Sequence, residues 1–80
     1  MLHITPVERA VLQLLADGYS VLEIADRLAL SESAVESLLP KLYERMGAAG
    51  RAEAVAVALR RGLLRHIPTA APLGDRNLYI

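Results

Sequence analysis

The stretch over residues 20–47 constrains the fold most, because it has the pattern of two helices joined by a very short turn. Ser20 and Ser31 precede the two apolar runs, where a serine hydroxyl accepts hydrogen bonds from free backbone N–H groups. The sequence therefore predicts a helix-turn-helix unit whose second helix is the longer. The apolar residues that recur at helical spacing are Val21, Ile24, Ala25 and Leu28, and then Val35, Leu39, Leu42 and Met46.

The segments on either side predict two further helices. Thr5 as N-cap, Pro6 at the first helical position and Glu8 in a capping box form a helix-start signature. The fourth helix, expected over residues 51–61, is apolar nearly all the way round, so we expect it to be buried on more than one side. The apolar stripe expected on the first helix, which leaves Glu8, Arg9 and Gln13 towards water, is Val7, Ala10, Val11, Leu14 and Leu15.

The helical pattern ends after residue 64. Pro68, Pro72 and Gly74 interrupt the rest of the chain, which we predict to form an extended tail. We therefore expect an all-α fold, with a four-helix domain over residues 1–64 and an extended C-terminal tail over residues 65–80.

The composition argues against an enzyme, a metalloprotein and a membrane protein. The chain has no cysteine, and its histidines, His3 and His66, lie at opposite ends. No nucleophile–base set, carboxylate pair or glycine-rich phosphate loop occurs, so we predict no catalytic residue, metal, cofactor or small-molecule substrate. No apolar run is long enough to span a membrane, which predicts a soluble cytoplasmic protein. An apolar content of 54% in 80 residues favours a homodimer or a protein partner.

Charge is unevenly distributed, although the net charge is zero. Residues 1–50 hold four basic and seven acidic side chains, whereas residues 51–66 hold four basic and one acidic. DNA-binding proteins usually have a clear basic surplus, because phosphate contacts supply much of their affinity. The acidic half contains the helix-turn-helix unit, which argues against strong non-specific DNA binding.

The third helix is expected to present a polar face opposite its buried side. Pro40 lacks the N–H that would bond to the carbonyl of Glu36, so we expect this helix to bend near residues 37–39 or to split there. If the helix reads DNA, its serines, Glu36 and Lys41 face bases and phosphates. The residues on or beside the polar face are Ser33, Glu36, Ser37, Pro40, Lys41 and Glu44.

The fourth helix and its C-terminal flank carry the remaining candidates. Small side chains would allow two copies of this helix to approach closely, and the candidate dimer residues are Ala54, Val57, Ala58 and Arg61. The candidates for further phosphate contacts are Arg51, Arg60 and Arg65. An alternative for the arginines at the helix end is a solvated charge that complements the negative end of the helix dipole.

Several short motifs along residues 4–64 occur together in a known family. They are the TPxE start, Leu14-Leu15-Ala16-x-Gly18, Glu23-Ile24-Ala25, Leu28-x-Leu30-Ser31-Glu32, Val35, Leu42-Tyr43-x-x-Met46-Gly47, and Ala54-Val55 leading to Arg60-Arg61-Gly62. In this combination the chain resembles the LuxR/GerE-type (NarL-like) helix-turn-helix DNA-binding family. The resemblance implies a four-helix domain whose third helix reads DNA and whose fourth helix forms a dimer.

The DNA-facing positions depart from the family pattern. Family members commonly read S-E-x-T-V-K-x-H where this chain reads SESAVESL over residues 31–38. The threonine that usually helps to hold a phosphate is Ala34, a basic position is Glu36, and the usual histidine is Leu38. Val21 and Leu22 replace polar residues at the start of the second helix. The recognition helix is therefore atypical.

Two functions remain open from the sequence. The first is a small homodimeric transcriptional regulator that binds DNA through the serines, Glu36 and Lys41 of the third helix and through the arginines. The second is a degenerate helix-turn-helix that acts as a protein-interaction or dimerisation module and modulates transcription without binding DNA. The candidate partner patch for this second function is Leu22, Leu38, Leu78, Tyr79 and Ile80.

Overall fold

The computed structural model of this chain describes residues 3–65, which form four α-helices and no strand. The helices are α1 (Pro6–Ala16), α2 (Val21–Leu28), α3 (Glu32–Met46) and α4 (Arg51–Arg60). The predicted all-α, four-helix domain is confirmed, and α4 ends one residue earlier than expected. Residues 66–80 of the predicted tail lie outside the described residues.

Each of the first three helices begins at a residue whose side chain caps it. Thr5 Oγ1 accepts a hydrogen bond from the N–H of Glu8 at 3.1 Å, and the Glu8 carboxylate accepts one from the N–H of Thr5 at 3.0 Å. Ser20 and Glu23 form the same reciprocal pair. Ser31 Oγ accepts from a backbone N–H in the first turn of α3 at 3.0 Å. The predicted helix starts are confirmed, because these caps satisfy N–H groups that have no partner within the helix.

The turn between α2 and α3 contains a left-handed residue that is not glycine. Ala29 has φ 57° and ψ 40°. Beside it, the N–H of Leu30 donates to the carbonyl of Ala25 at 2.9 Å. A residue with a Cβ is strained in this conformation by about 1 kcal/mol. The turn that sets the position of α3 on α2 therefore holds backbone strain.

Ala29→Gly is expected to raise the free energy of unfolding by about 0.5–1 kcal/mol, because glycine adopts positive φ without the Cβ clash. Urea denaturation followed by circular dichroism measures the change. The matched control is Ala56→Gly at an exposed interior position of α4, which should lower the free energy of unfolding by about 1 kcal/mol. An equal loss of stability in both variants would contradict the left-handed conformation of Ala29.

Pro40 lies within α3 without interrupting it, so the predicted splitting of this helix is wrong. Pro40 and Glu36 are both exposed, and the Glu36 carbonyl that loses its intrahelical partner therefore lies on the solvent side. On the opposite side Leu39 and Leu42 are buried in one core, which holds the two halves of α3 together. The predicted bend near residues 37–39 stays a prediction.

One apolar core joins all four helices. α2 packs against α1 and α3, and α4 packs against α1 and α3. The contribution of α4 is two alanines, Ala54 and Ala58, whose side chains have 0% exposure. Small buried side chains allow α4 to lie close to its neighbours without leaving a cavity. The core consists of Val11, Leu12, Leu15, Ile24, Ala25, Val35, Leu39, Leu42, Met46, Ala54 and Ala58.

The buried face of α1 differs from the predicted stripe. Val7 is 48% exposed, whereas Leu12, which the prediction left out, is fully buried. Glu8 and Gln13, which we predicted to face water, are only 9% and 8% exposed. The prediction was wrong because both polar side chains bond to segments that are distant in sequence, and these bonds offset the cost of burying polar groups.

An ion pair fastens the start of α1 to the end of α3. Arg45 Nη2 bonds to the Glu8 carboxylate, and Arg45 Nη1 donates to the carbonyl of His3 at 3.1 Å. Burial disfavours the charged carboxylate, but hydrogen bonds from Arg45 and Thr5 hold the pKa of Glu8 below its usual value. The stability from this pair is therefore present above the unfolded-state pKa of the carboxyl and is lost as the pH falls through the lower folded-state pKa.

Candidate nucleic-acid interface

The outer face of α3 is exposed along its whole length. The buried residues of this helix are Val35, Leu39, Leu42 and Met46, which all point into the core. On the opposite side Ser33, Glu36, Ser37 and Lys41 are exposed, together with Pro40 and Glu44. The structure therefore brings the predicted α3 candidates together on one accessible helical surface, and it leaves them free for an external partner.

The charges on this face are mixed, and few are positive. Glu32, Glu36 and Glu44 are exposed on α3. Arg45, one of the two basic residues of the helix, bonds to residues near the N-terminus. Lys41 makes no ion pair within residues 3–65 and is the one basic side chain of α3 available to a phosphate. Any polyanion at this face therefore meets local carboxylate repulsion as well as attraction.

A shallow groove runs beside α3, towards the connection to α4. Its walls combine two carboxylates with apolar side chains, and Tyr43 lies partly buried between them. Burial raises the pKa of the Tyr43 hydroxyl above its ordinary value, although the nearby charge of Arg51 acts in the opposite direction. The groove is lined by Glu36, Leu39, Pro40, Tyr43, Glu44, Ala48 and Ala49.

Arg51 is held by contacts within the domain. Its Nη2 donates to the carbonyl of Leu15 at 3.1 Å and to the carbonyl of Tyr19 at 3.0 Å, which joins the start of α4 to the end of α1. On the neighbouring helix α2, the Arg27 guanidinium carbon lies 4.1 Å from the centre of the Tyr19 ring. Sequence reasoning missed the Arg51 contacts because no local signal marks a carbonyl more than thirty residues away. A phosphate contact for Arg51 stays a prediction.

Arg65 lies beside α1, away from the candidates on α3. The backbone N–H of Arg65 donates to Gln13 Oε1 at 2.6 Å. Arg65 lines a recess together with residues at the start of α1. Arg60 is the last residue of α4 and is exposed. The contacts of Arg65 therefore place it with α1 rather than with Ser33–Lys41, and phosphate contacts for Arg60 and Arg65 stay predictions.

Two of the four dimer candidates on α4 are corrected. Ala54 and Ala58 are completely buried within the domain, so neither can contact a second copy. They were misplaced because α4 is apolar on several sides, and the sequence does not indicate which side meets α1. Val57 is half-buried and Arg61 is exposed at the end of the helix. The exposed apolar residues of α4 are Ala52, Ala56 and Leu59, the last with 45% exposure.

Two of the five residues in the candidate partner patch lie within the described part of the chain. Leu22 is 62% exposed, as predicted from its place off the buried face of α2. Leu38 is half-buried and packs against the core, so only part of its side chain is available to a partner, and its role stays a prediction. The other candidates, Leu78, Tyr79 and Ile80, lie outside the described residues.

None of the helices within residues 3–65 is both long and apolar enough to cross a membrane. No group of three or more His, Asp or Glu side chains in the same range is arranged to hold a metal ion.

The architecture defines the class of protein. Four helices, a tight turn between α2 and α3, and a third helix with one whole face exposed make a helix-turn-helix domain. Residues 3–58 match the family described as "Bacterial regulatory proteins, luxR family". The chain belongs to this family and is a LuxR-type helix-turn-helix transcriptional regulator domain.

Individual relatives agree with this assignment. The transcriptional regulatory protein YdfI of Bacillus subtilis (strain 168) is 39% identical over 62 residues, which cover 78% of this chain and 29% of YdfI. The chain spans 7% to 29% of the length of the curated relatives it matches.

Two solved structures share the fold. The transcription factor GerE matches with a TM-score of 0.73 and 34% identity, over 76% of this chain and 91% of that chain. VqmA of Vibrio cholerae, a LuxR-type receptor solved as a dimer in the absence of its target DNA, matches with a TM-score of 0.73 and 33% identity. That match covers 79% of this chain and 28% of the VqmA chain.

Proposed function

We propose that this chain binds DNA as a homodimer in the cytoplasm, with the exposed face of α3 in the major groove, and regulates transcription from that position. The observation that carries the proposal is the α3 face itself. The helix-turn-helix packing buries one side of α3 and leaves the other side accessible from Ser33 to Lys41. A major groove admits one α-helix presented in this way.

The chemistry of this face supports base contacts of modest strength. Ser33 and Ser37 can donate and accept hydrogen bonds at base edges, and Glu36 can accept from the amino group of cytosine. Lys41 is the cation on α3 available for a phosphate or a guanine. Each copy therefore contributes few favourable contacts, so useful affinity requires two copies on neighbouring half-sites.

Lys41→Ala is expected to weaken DNA binding and to reduce the slope of log affinity against log salt by about one, because one phosphate contact is lost. Fluorescence anisotropy at several salt concentrations measures both changes. The control is Arg27→Ala on α2, whose guanidinium lies over the Tyr19 ring and which should leave the salt slope unchanged. An unchanged slope in Lys41→Ala would contradict the placement of α3 on DNA.

The proposed dimer interface is the exposed apolar side of α4. Ala52, Ala56 and Leu59 recur at spacings of four and three residues, so they lie on one face of the helix. The two alanines permit close approach of a second α4, and Leu59 supplies the largest apolar surface to cover.

Leu59→Glu is expected to weaken self-association by at least about tenfold, because a charge replaces apolar surface on both copies. Sedimentation equilibrium measures the association constant, and DNA affinity should fall with it. Leu22→Glu is the matched control, since Leu22 is more exposed than Leu59 and lies on α2. Equal loss of association in the two variants would point to a general solubility effect and not to an α4 interface.

The protein-interaction alternative is not favoured by the family assignment. Its remaining support is the groove beside α3, where Glu36 and Glu44 flank apolar side chains. Measurements of self-association and of DNA binding at low salt distinguish the two functions. An interaction module would retain its self-association and show no DNA binding.

A further inference from the structure

A small recess lies between the start of α1 and the segment that follows α4. Two arginines that are far apart in sequence, Arg9 and Arg65, share it. The other described residues of the lining lie near the start of α1 and are apolar, so two basic residues lie beside apolar ones. The lining residues are Ile4, Pro6, Arg9, Ala10 and Arg65.

A hydrogen bond and the packing of the preceding residues hold Arg65 at this recess. Its backbone N–H donates to Gln13 Oε1 at 2.6 Å, and Gln13 is only 8% exposed. The N–H of Leu63 donates to the carbonyl of Ala58 at 2.9 Å, and Leu63 and Leu64 pack against the core. Residues 63–65 are therefore held against α1, which fixes the backbone position of Arg65.

The guanidinium groups of Arg9 and Arg65 make no ion pair with a carboxylate within residues 3–65. The nearest acidic neighbour in sequence, Glu8, is bonded to Arg45 on the buried side of α1. Asp17, one turn beyond Gln13, is within 3.4 Å of the Gln13 side-chain nitrogen. Two like charges in one recess repel each other, and an oxyanion between them removes that repulsion.

We propose that this recess is a phosphate-binding site. The planar guanidinium groups of Arg9 and Arg65 each present paired N–H donors, which match the oxygens of a phosphate group and bind it by charge-assisted hydrogen bonds. The site is separate from the α3 face and does not depend on it. The phosphate group is carried either by a free small molecule or by a nucleic acid backbone.

The test is a nuclear magnetic resonance titration of the full 80-residue chain with inorganic phosphate at constant ionic strength. We expect saturable shifts of the Nε–Hε signals of Arg9 and Arg65 and of the Arg65 backbone amide. Arg9→Gln and Arg65→Gln should each weaken phosphate binding by about tenfold or more. Arg65→Gln keeps the backbone bond to Gln13, so it tests the guanidinium without removing the support.

Arg27→Gln is the matched control, because Arg27 is an exposed arginine on α2 outside the recess and should leave phosphate affinity unchanged. Shifts that rise linearly for all arginines, or an equal loss in Arg27→Gln, would overturn the proposal.

A second titration, in the presence of duplex DNA, identifies the source of the phosphate group. Displacement of inorganic phosphate from Arg9 and Arg65 by the duplex assigns the site to the nucleic acid backbone. Undisturbed phosphate binding assigns it to a free phosphate compound, and either outcome upholds the site. If the chain does not bind DNA at all, the first titration still decides whether the recess binds phosphate.

Discussion

Ile24→Ala is expected to lower the free energy of unfolding by about 2–5 kcal/mol, the range for removing a large buried aliphatic side chain. Ile24 has 0% exposure and lies in the core. Truncation leaves a cavity between α2 and the helices that pack on it, and a domain of this size has little stability in reserve. This is the largest effect we expect from a single substitution.

Leu22→Ala provides the matched control, because it lies two residues away on the same helix and is 62% exposed. Its free energy of unfolding should change by less than about 0.5 kcal/mol. Urea denaturation of the two variants, followed by circular dichroism, compares them directly. If Leu22→Ala were as destabilising as Ile24→Ala, the orientation of α2 described above would be wrong.

Glu36→Lys is expected to raise DNA affinity by about tenfold at low salt and to steepen the salt slope by about one, because a repulsive carboxylate becomes a phosphate contact. Glu36 is exposed on the α3 face, close in sequence to Ser33 and Ser37. The resemblance to the LuxR/GerE-type pattern implies a basic residue at this position. The substitution would therefore supply a phosphate contact that Glu36 cannot make.

Glu53→Lys makes the same change of charge on the exposed first turn of α4. If only the net charge mattered, both variants would gain equally. We expect Glu53→Lys to change affinity by less than about threefold, because salt screens charges that are distant from the phosphates. Anisotropy titrations at two salt concentrations compare the variants. An equal gain in DNA affinity in both would contradict the placement of α3 against DNA.

The helix boundaries could be predicted because their signals are local. Thr5, Ser20 and Ser31 cap backbone groups within three residues of themselves. The starts of α1, α2 and α3 can therefore be predicted from local sequence, without knowledge of the fold. The same holds for the apolar spacing of α3, which separates Leu42 in the core from Lys41 on the surface. The predicted accessibility of the α3 candidates followed from this spacing alone.

The predictions of burial were wrong for residues whose environment depends on contacts with segments distant in sequence. Glu8 and Gln13 are polar, and only their bonds to Arg45 and to the backbone of Arg65 explain their burial. On α4 every side is rich in small apolar residues, so the side occupied by Ala54 depends on where α1 and α3 lie. Local patterns contain no information on such contacts.

The proposed function requires that the exposed face of α3 lies against DNA. Chemical-shift mapping of the full chain with a duplex of about 20 base pairs tests this requirement, because that length accommodates two half-sites one helical turn apart. The duplex is selected from a random-sequence pool at low salt. We expect the largest amide shifts on Ser33, Ser37 and Lys41, on the exposed side of α3. Absence of shifts, or shifts confined to α4, would show that this face does not bind DNA.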